Sequence, residues 1–307
     1  MNVLVTGANG TVGTALRDHL EDELELVLER NTEEDGLEAT WLDLEPRSLP
    51  DAGTGSRSGS SDETLVGDVT DYATVRAAMI DQDAVVHLGM PDFLGGPDDR
   101  SLGWSGGFGT SCQAICNVLE AAVNEGVETV VYASSNHAVG MYEIDHAPAL
   151  YEPGYGLEVD HTSPVRPDSR YGVVKVFGEA MSRLAADAHG LSCYAIRICS
   201  VRDPKYDHPY GDAERGVARG AFERWSEPYE EQVARQECMW QSRRDFAQQV
   251  ARCLERGRAR DGTDGEFDVF YGRSASDRAW LDLEHARDVL GYDPYDDATT
   301  WEEPPDG

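Results

Sequence analysis

Apolar and polar positions follow two periods along this chain, and the period switches repeatedly. "NVLVT" (2–6) is a short continuous apolar run, which fits a strand buried on both faces. In "TVGTALRDHLED" (11–22) apolar residues recur every three or four positions, as on one face of a helix. "LELVLE" (24–29) predicts a second strand, "ATVRAAMID" (73–81) a helix and "DAVVHLG" (83–89) another buried strand. "SCQAICNVLEAAVNEG" (111–126) predicts a long helix with Ile115, Val118 and Leu119 on one side, followed by a strand in "ETVVYASS" (128–135). A second long helix is predicted over 168–190, a strand in "SCYAIRI" (192–198), a helix over 242–257, a strand in "GEFDVFYG" (265–272) and a helix in "LEHARDVLGY" (283–292). Helical segments between short apolar strands imply βαβ units. The expected class is α/β, a doubly wound parallel sheet with helices on both faces.

Two stretches interrupt the alternation. Leu44 to Asp62 is rich in Gly, Ser and Pro and reads as a surface insertion. Arg202 to Glu231 is long, polar and weakly periodic. It reads either as a segment covering a substrate or as a solvated loop. The expected division is a dinucleotide-binding domain over 1–200 and a small, mainly substrate-binding part over 201–307, interleaved with the sheet. The sequence has no internal repeat.

Charge narrows the function. The chain has 307 residues, 40% of them apolar, enough for a sizeable core. It carries 58 acidic against 26 basic residues, a net charge of −32, and its only lysines are Lys175 and Lys205. Such self-repulsion destabilises a compact chain in dilute salt. At molar salt the screening length drops to roughly 3 Å and the repulsion largely disappears. This is the composition expected of a cytoplasm rich in potassium chloride, as in halophilic archaea. The acidity argues against nucleic-acid partners and anionic membrane surfaces. The first residues run straight into a strand, so no leader is expected, and no apolar run is long enough for a membrane helix. The six cysteines form no CxxC pair, so no disulfide and no metal site is expected. A cytoplasmic protein follows.

The turn "TGANGTVG" (6–13) lies between the first strand and the first helix, with Gly7, Gly10 and Gly13 at GxxGxxG spacing. Glycines there let backbone approach a pyrophosphate at a helix N-terminus, as in a Rossmann-type sheet. Asn9, Thr11 and Val12 of the same turn join the expected cofactor-binding set. The predicted second strand ends in "VLERN", which puts Arg30 and Asn31 where the adenosine ribose is read, with Glu29 one residue away. Arginine there favours a 2′-phosphate, and an acid would favour NAD. The expected cofactor is therefore NADP or NAD, leaning to NADP. Asp68 and Val69, in "GDVTD" at the end of another strand, would face the adenine, and Leu88 and Gly89 after His87 would flank the cofactor.

Tyr171 and Lys175 share a helix face at i, i+4. A phenol has a reference pKa near ~10, too high for a base at neutral pH. An ammonium beside it favours the phenolate. The pair can then take the proton of an alcohol while hydride leaves its carbon. Arginine is bulkier and planar and does not replace a compact ammonium there. One of the two lysines thus stands where geometry makes it chemical.

YxxxK after TGxxGxxG, with a serine-bearing strand end between them, resembles the extended short-chain dehydrogenase/reductases of the NAD-dependent epimerase/dehydratase type. The resemblance spans nearly the whole chain, including "LGYDP" (290–294). It implies that Tyr171 and Lys175 are catalytic and touch the cofactor. It implies that Ser135, or Ser134 if the register is off by one, binds the reacting oxygen. "SSNHAVGMY", "DSRYGVVKVFGE", "IRICS" and "VFYGRSASD" are similar to uronate dehydrogenases and aldose 1-dehydrogenases. Those enzymes take hydride from the anomeric C1 of a cyclic sugar and form a lactone. The resemblance implies that Asn136 and His137 reach sugar hydroxyls, His137 being otherwise a structural histidine. Asp92 would be a polar substrate contact. Arg235, ahead of Trp240 and Phe246, would hold a substrate carboxylate, or else pair with Glu231 or Glu237 on a solvated helix. It also implies at least a homodimer, formed through the helices over 111–125 and 169–189. Ser111 departs from the pattern, since similar enzymes carry asparagine there. Rival readings are a nucleotide-sugar epimerase or dehydratase, and a dinucleotide sensor. Asn136 and His137 stand where dehydratases carry acids, and the intact Tyr/Lys pair disfavours a sensor.

Overall fold

The computed structural model describes residues 1–27, 38–46, 63–91, 100–102, 107–260 and 264–305. In chain order they form β1 (Asn2–Thr6), α1 (Thr11–Val27), β2 (Glu38–Asp43), β3 (Thr64–Val66), α2 (Tyr72–Met79), β4 (Ala84–His87), α3 (Phe108–Glu125) and β5 (Thr129–Ser135). Then come α4 (Met141–His146), α5 (Arg170–His189), β6 (Ser192–Ile198), α6 (Gly211–Ala218), α7 (Glu227–Met239), α8 (Arg243–Arg258), β7 (Glu266–Gly272) and α9 (Glu284–Leu290). The strands make one parallel sheet in the order β3-β2-β1-β4-β5-β6-β7.

Strand side chains alternate between faces, so each apolar run feeds two cores. Val3, Val5, Val86, Tyr194 and Ile196 pack under α1 and α8, with Leu16, Leu20, Phe246 and Val250. Leu4, Val85, Val130, Cys193 and Ala195 pack under α2, α3 and α5 on the opposite face. This explains why the strands read as continuous apolar runs. Serine and glycine fix the ends of α5: the Ser169 hydroxyl accepts the Gly172 N–H at 3.1 Å, and Gly190 ends the helix at φ +80°. Among the described residues no helix is long and apolar enough to cross a membrane.

The second strand departs from the sequence reading. Leu24 to Val27 belongs to α1, where Leu20, Leu24 and Val27 are buried at i, i+4, i+7 while Leu26 is exposed. "LEL" alternates like a strand in a short window but continues the helical stripe. β2 lies later, at "EATWLD". Glu29, Arg30 and Asn31 lie outside the described residues, as does most of the 44–62 insertion. The polar stretch from Arg202 carries a 3-10 turn at Pro204–Tyr206, then α6 and the start of α7. Their charged outer faces leave too few apolar positions for a clear period. β7 and α8 also follow residue 200 and complete the sheet and its cover.

Candidate active site

The order in which successive strands are added switches sides between β1 and β4, and the crevice at the carboxyl ends of strands at such a point is where these sheets bind ligands. A cleft of about 920 Å³ lies there, lined by Gly7, Asn9, Gly10, Asp43, Asp68, Val69, Leu88 and Gly89, among others. The glycine turn fits a dinucleotide because it has no room for side chains. Gly7 sits at φ +73°, and a Cβ on it would lie 2.6 Å from the Gly89 nitrogen. A Cβ on Gly13 would lie 2.3 Å from the Gly7 carbonyl oxygen. Thr11 is exposed and donates its hydroxyl to Asp203 at 3.1 Å, and Val12 is half-buried. The Asp68 carboxylate accepts the Thr70 N–H at 2.8 Å, and the Val69 carbonyl accepts from Asn117 at 3.1 Å.

At the end of the second strand the structure corrects the sequence reading. The residue ending β2 is Asp43, whose Oδ2 accepts the Asn9 N–H at 2.8 Å. An acid thus stands at this strand end, while Arg30 lies outside the described residues. The signal is present in "ATWLD", an apolar strand closing on aspartate, but the strand-like "LELVLE" ahead of it hides it.

The chemistry-bearing side chains meet at the end of β5. Ser135 is its last residue and lies opposite Ile198 of β6. Its hydroxyl oxygen accepts the His137 N–H at 3.2 Å, and a hydrogen bond links it to the Tyr171 phenol. Lys175 donates from Nζ to the Ala133 carbonyl at 2.7 Å, with Nζ 5.4 Å from the Tyr171 ring centre. Burial pulls the Lys175 ammonium down to about 7. Burial also raises the Tyr171 phenol; the Ser135 bond works against that and the Asp168 charge adds to it. Burial, with the Lys175 charge second, pushes His87 down to about 3. Its Nδ1 sits 2.7 Å from the Thr6 hydroxyl.

The neighbouring serine faces elsewhere. Ser134 donates to Glu179 at 2.5 Å, so Ser135 is the one turned toward Tyr171. Asn136 is buried next to Ser135 and accepts from its hydroxyl at 3.3 Å. The His137 ring meets the Tyr171 ring edge-on at 5.5 Å, with its Nδ1 2.8 Å from Asp168. Asp92 lies outside the described residues. Arg235 does not pair with Glu231 or Glu237 along its helix: Nε and a terminal nitrogen donate to the two oxygens of Glu143 at 2.6 and 3.2 Å, while Glu237 accepts from Arg278. Ser111 is buried on α3, and its hydroxyl has no partner among the described residues. Sequence reasoning missed Asp43, Asp168, Glu143 and Glu179, because acids are so frequent here that no single one stands out.

The pattern of the NAD dependent epimerase/dehydratase family matches residues 3–248. A relative from Haloferax volcanii named NAD-dependent glucose-6-phosphate dehydrogenase is 34% identical over 300 residues, 96% of this chain and 94% of that one. An L-arabinose 1-dehydrogenase (NAD(P)(+)) from the same organism is 28% identical over 299 residues, 97% and 98% of the two chains. The crystal structure of a single-site mutant of uronate dehydrogenase from Agrobacterium tumefaciens, complexed with NAD, matches with TM-score 0.63 at 25% identity, over 99% of this chain and 91% of that one. The chain belongs to the NAD-dependent epimerase/dehydratase family, as an oxidoreductase acting on a CH–OH group.

Proposed function

We propose that the protein is an NAD-dependent sugar 1-dehydrogenase that oxidises the anomeric C1 hydroxyl of an aldose to the lactone. The corner joining Ser135, Tyr171 and Lys175 at the carboxyl end of β5 carries this reading. Bound NAD would supply the hydride acceptor. Ser135 holds the reacting oxygen, and Tyr171 as phenolate takes its proton. The Lys175 ammonium favours that phenolate. The turn Gly7–Gly13, with Asn9, Gly10, Thr11 and Val12, receives the pyrophosphate, and Asp68, Val69, Leu88 and Gly89 flank the cofactor. NAD is preferred over NADP because the Asp43 carboxylate suits ribose hydroxyls and repels a 2′-phosphate. Asn136 and the Nε2 of His137 take sugar hydroxyls, the His137 Nδ1 being held by Asp168.

Of the possible sugars, a hexose 6-phosphate comes first, since the 34% relative is named for one. A hexuronate comes behind it, because Glu143 occupies the guanidinium fork of Arg235 that a substrate carboxylate would need. A homodimer through α3 and α5 fits the exposed Val173 and Leu184 on α5. Light scattering in high salt tests it. The deciding assay follows NADH and NADPH formation in molar KCl with glucose 6-phosphate, L-arabinose and glucuronate. Net cofactor reduction supports a dehydrogenase. An epimerase returns its hydride and leaves NAD oxidised, so sugar interconversion without NADH would overturn the proposal.

A further inference from the structure

Beneath the catalytic corner lies a buried polar row that the chemistry above does not use. Ser134, Arg197 and Tyr271 are register neighbours across β5, β6 and β7. Glu179 of α5 reaches down onto them. Arg197 donates from Nε and from a terminal nitrogen to the two Glu179 oxygens, each at 2.9 Å. Ser134 donates to the same carboxylate at 2.5 Å. The other terminal nitrogen of Arg197 donates to the Tyr271 hydroxyl at 2.9 Å, and that hydroxyl donates to the Asp160 carbonyl at 3.2 Å. All four side chains are buried.

The place of this row along α5 gives it meaning. The helix runs antiparallel to β5 and touches it in steps. Tyr171 bonds with Ser135, and Lys175 donates to the Ala133 carbonyl. At Gly178 a Cβ would lie 2.1 Å from the Tyr132 hydroxyl, so helix and strand are in direct contact there. Glu179 follows one turn after Lys175 and two turns after Tyr171. Apolar packing resists sliding of a helix over a strand only weakly in direction. A two-pronged guanidinium–carboxylate pair fixes both distance and angle. A displacement of about 1 Å at a reacting group can cost roughly 100-fold in rate.

We propose that Glu179 is a positioning residue: clamped by Arg197 and Ser134, it sets where α5 lies along β5 and so holds Tyr171 against Ser135. The inference rests on the roles given above to Tyr171 and Ser135. Removing one partner alone would strand a buried charge and unfold the protein for an unrelated reason. The test therefore removes both, as Glu179→Met with Arg197→Met. The double variant folds, melts close to wild type and binds NADH within about twofold of it, while kcat falls by roughly 30-fold or more. The Tyr171 phenol, read as the ultraviolet titration difference between each protein and its own Tyr171→Phe counterpart, moves to higher pH as the Ser135 bond loosens. Wild-type kcat with an unmoved titration overturns the proposal. Should the double variant fail to fold, Ser134→Ala keeps the ion pair and removes one bond. It lowers kcat several-fold and moves the titration the same way; if neither changes, the proposal is equally overturned. The titration needs no substrate, so a wild type inert toward every sugar sinks the dehydrogenase reading and leaves this test standing.

Discussion

Helix α5 meets the end of β5 through groups that are buried and already bonded to one another, whereas the end of β2 meets the cleft through carboxylates that face open space. In the first region Lys175 is tied to the Ala133 carbonyl, Ser134 to Glu179, and Tyr171 to Ser135. In the second, Asp43, Glu45 and Asp68 line the cleft beside the glycine turn. The two regions obey different electrostatics. Buried groups feel one another strongly and salt weakly; exposed ones feel the medium. Catalysis should then depend on internal partners, and cofactor capture on the solution around it.

Tyr171→Phe tests the buried side with the largest expected effect. The ring remains and the base is gone, so NADH still binds while kcat falls by ~10²–10⁴, the usual worth of a general base. A variant retaining more than about a tenth of wild-type turnover removes Tyr171 from that role.

Lys175→Met sharpens the same side, because activity and stability should move in opposite directions. Turnover falls steeply as the phenolate loses its cation. Burial holds the folded-state ammonium near 7, below the usual value of 10.5. Between those two values the unfolded chain binds a proton that the folded chain does not, so wild-type stability rises with pH across that window. Below about 7 both states are protonated and the full cost of burying the charge is present. Lys175→Met should therefore melt higher than wild type at pH 6, with the gap narrowing toward pH 10. A variant that melts lower than wild type at pH 6 would show that the ammonium is well solvated, contrary to its buried place.

The contrast also explains what could be read in advance. The proposed catalytic corner was legible as a pattern because its chemistry needs a fixed spacing, Tyr171 to Lys175, on a helix whose apolar stripe and caps are plain. The glycine turn was legible because only glycine fits at Gly7 and Gly13. The end of β2 was not, because Leu24 to Val27 extends α1 by another turn in letters that also suit a strand. Arg235 was placed on resemblance alone; its partner Glu143 is 92 residues away in sequence, on a helix not foreseen. The row under Glu179 was hidden for the same reason: its members meet only through sheet register.

Asp43→Asn probes the open side. Removing the carboxylate loses one charge-assisted hydrogen bond to the ribose and removes the repulsion of a 2′-phosphate. The ratio of kcat/KM for NAD over NADP should fall by about tenfold, the worth of one such bond. An unchanged ratio would mean that Asp43 serves only to hold the Asn9 N–H.

The smallest expected effect separates the two regions most directly. Asp18, Asp43, Glu45, Asp68 and Asp203 line the cleft, and the one cation among its described lining residues, Arg243, already donates to Asp18 at 2.6 Å. The cofactor is itself an anion. At ~0.1 M salt the screening length is about 10 Å, long enough for these carboxylates to repel it; at ~1 M it is about 3 Å, and the repulsion is confined to contact. NADH affinity, followed by fluorescence titration, should therefore strengthen several-fold from low to molar KCl. Asp203→Asn should flatten the dependence, since that exposed carboxylate sits at the start of α1 beside the Thr11 hydroxyl. Adenosine, which is uncharged, should bind with little change over the same range and so separates charge from salt-dependent folding. The rate of the chemical step in a single turnover at saturating cofactor should stay nearly level with salt, because the groups around Tyr171 are bonded inside the protein. NADH binding that weakens with salt would mean that the carboxylates are neutralised in the folded cleft. A chemical step as salt-sensitive as binding would mean that the two regions share one electrostatic environment.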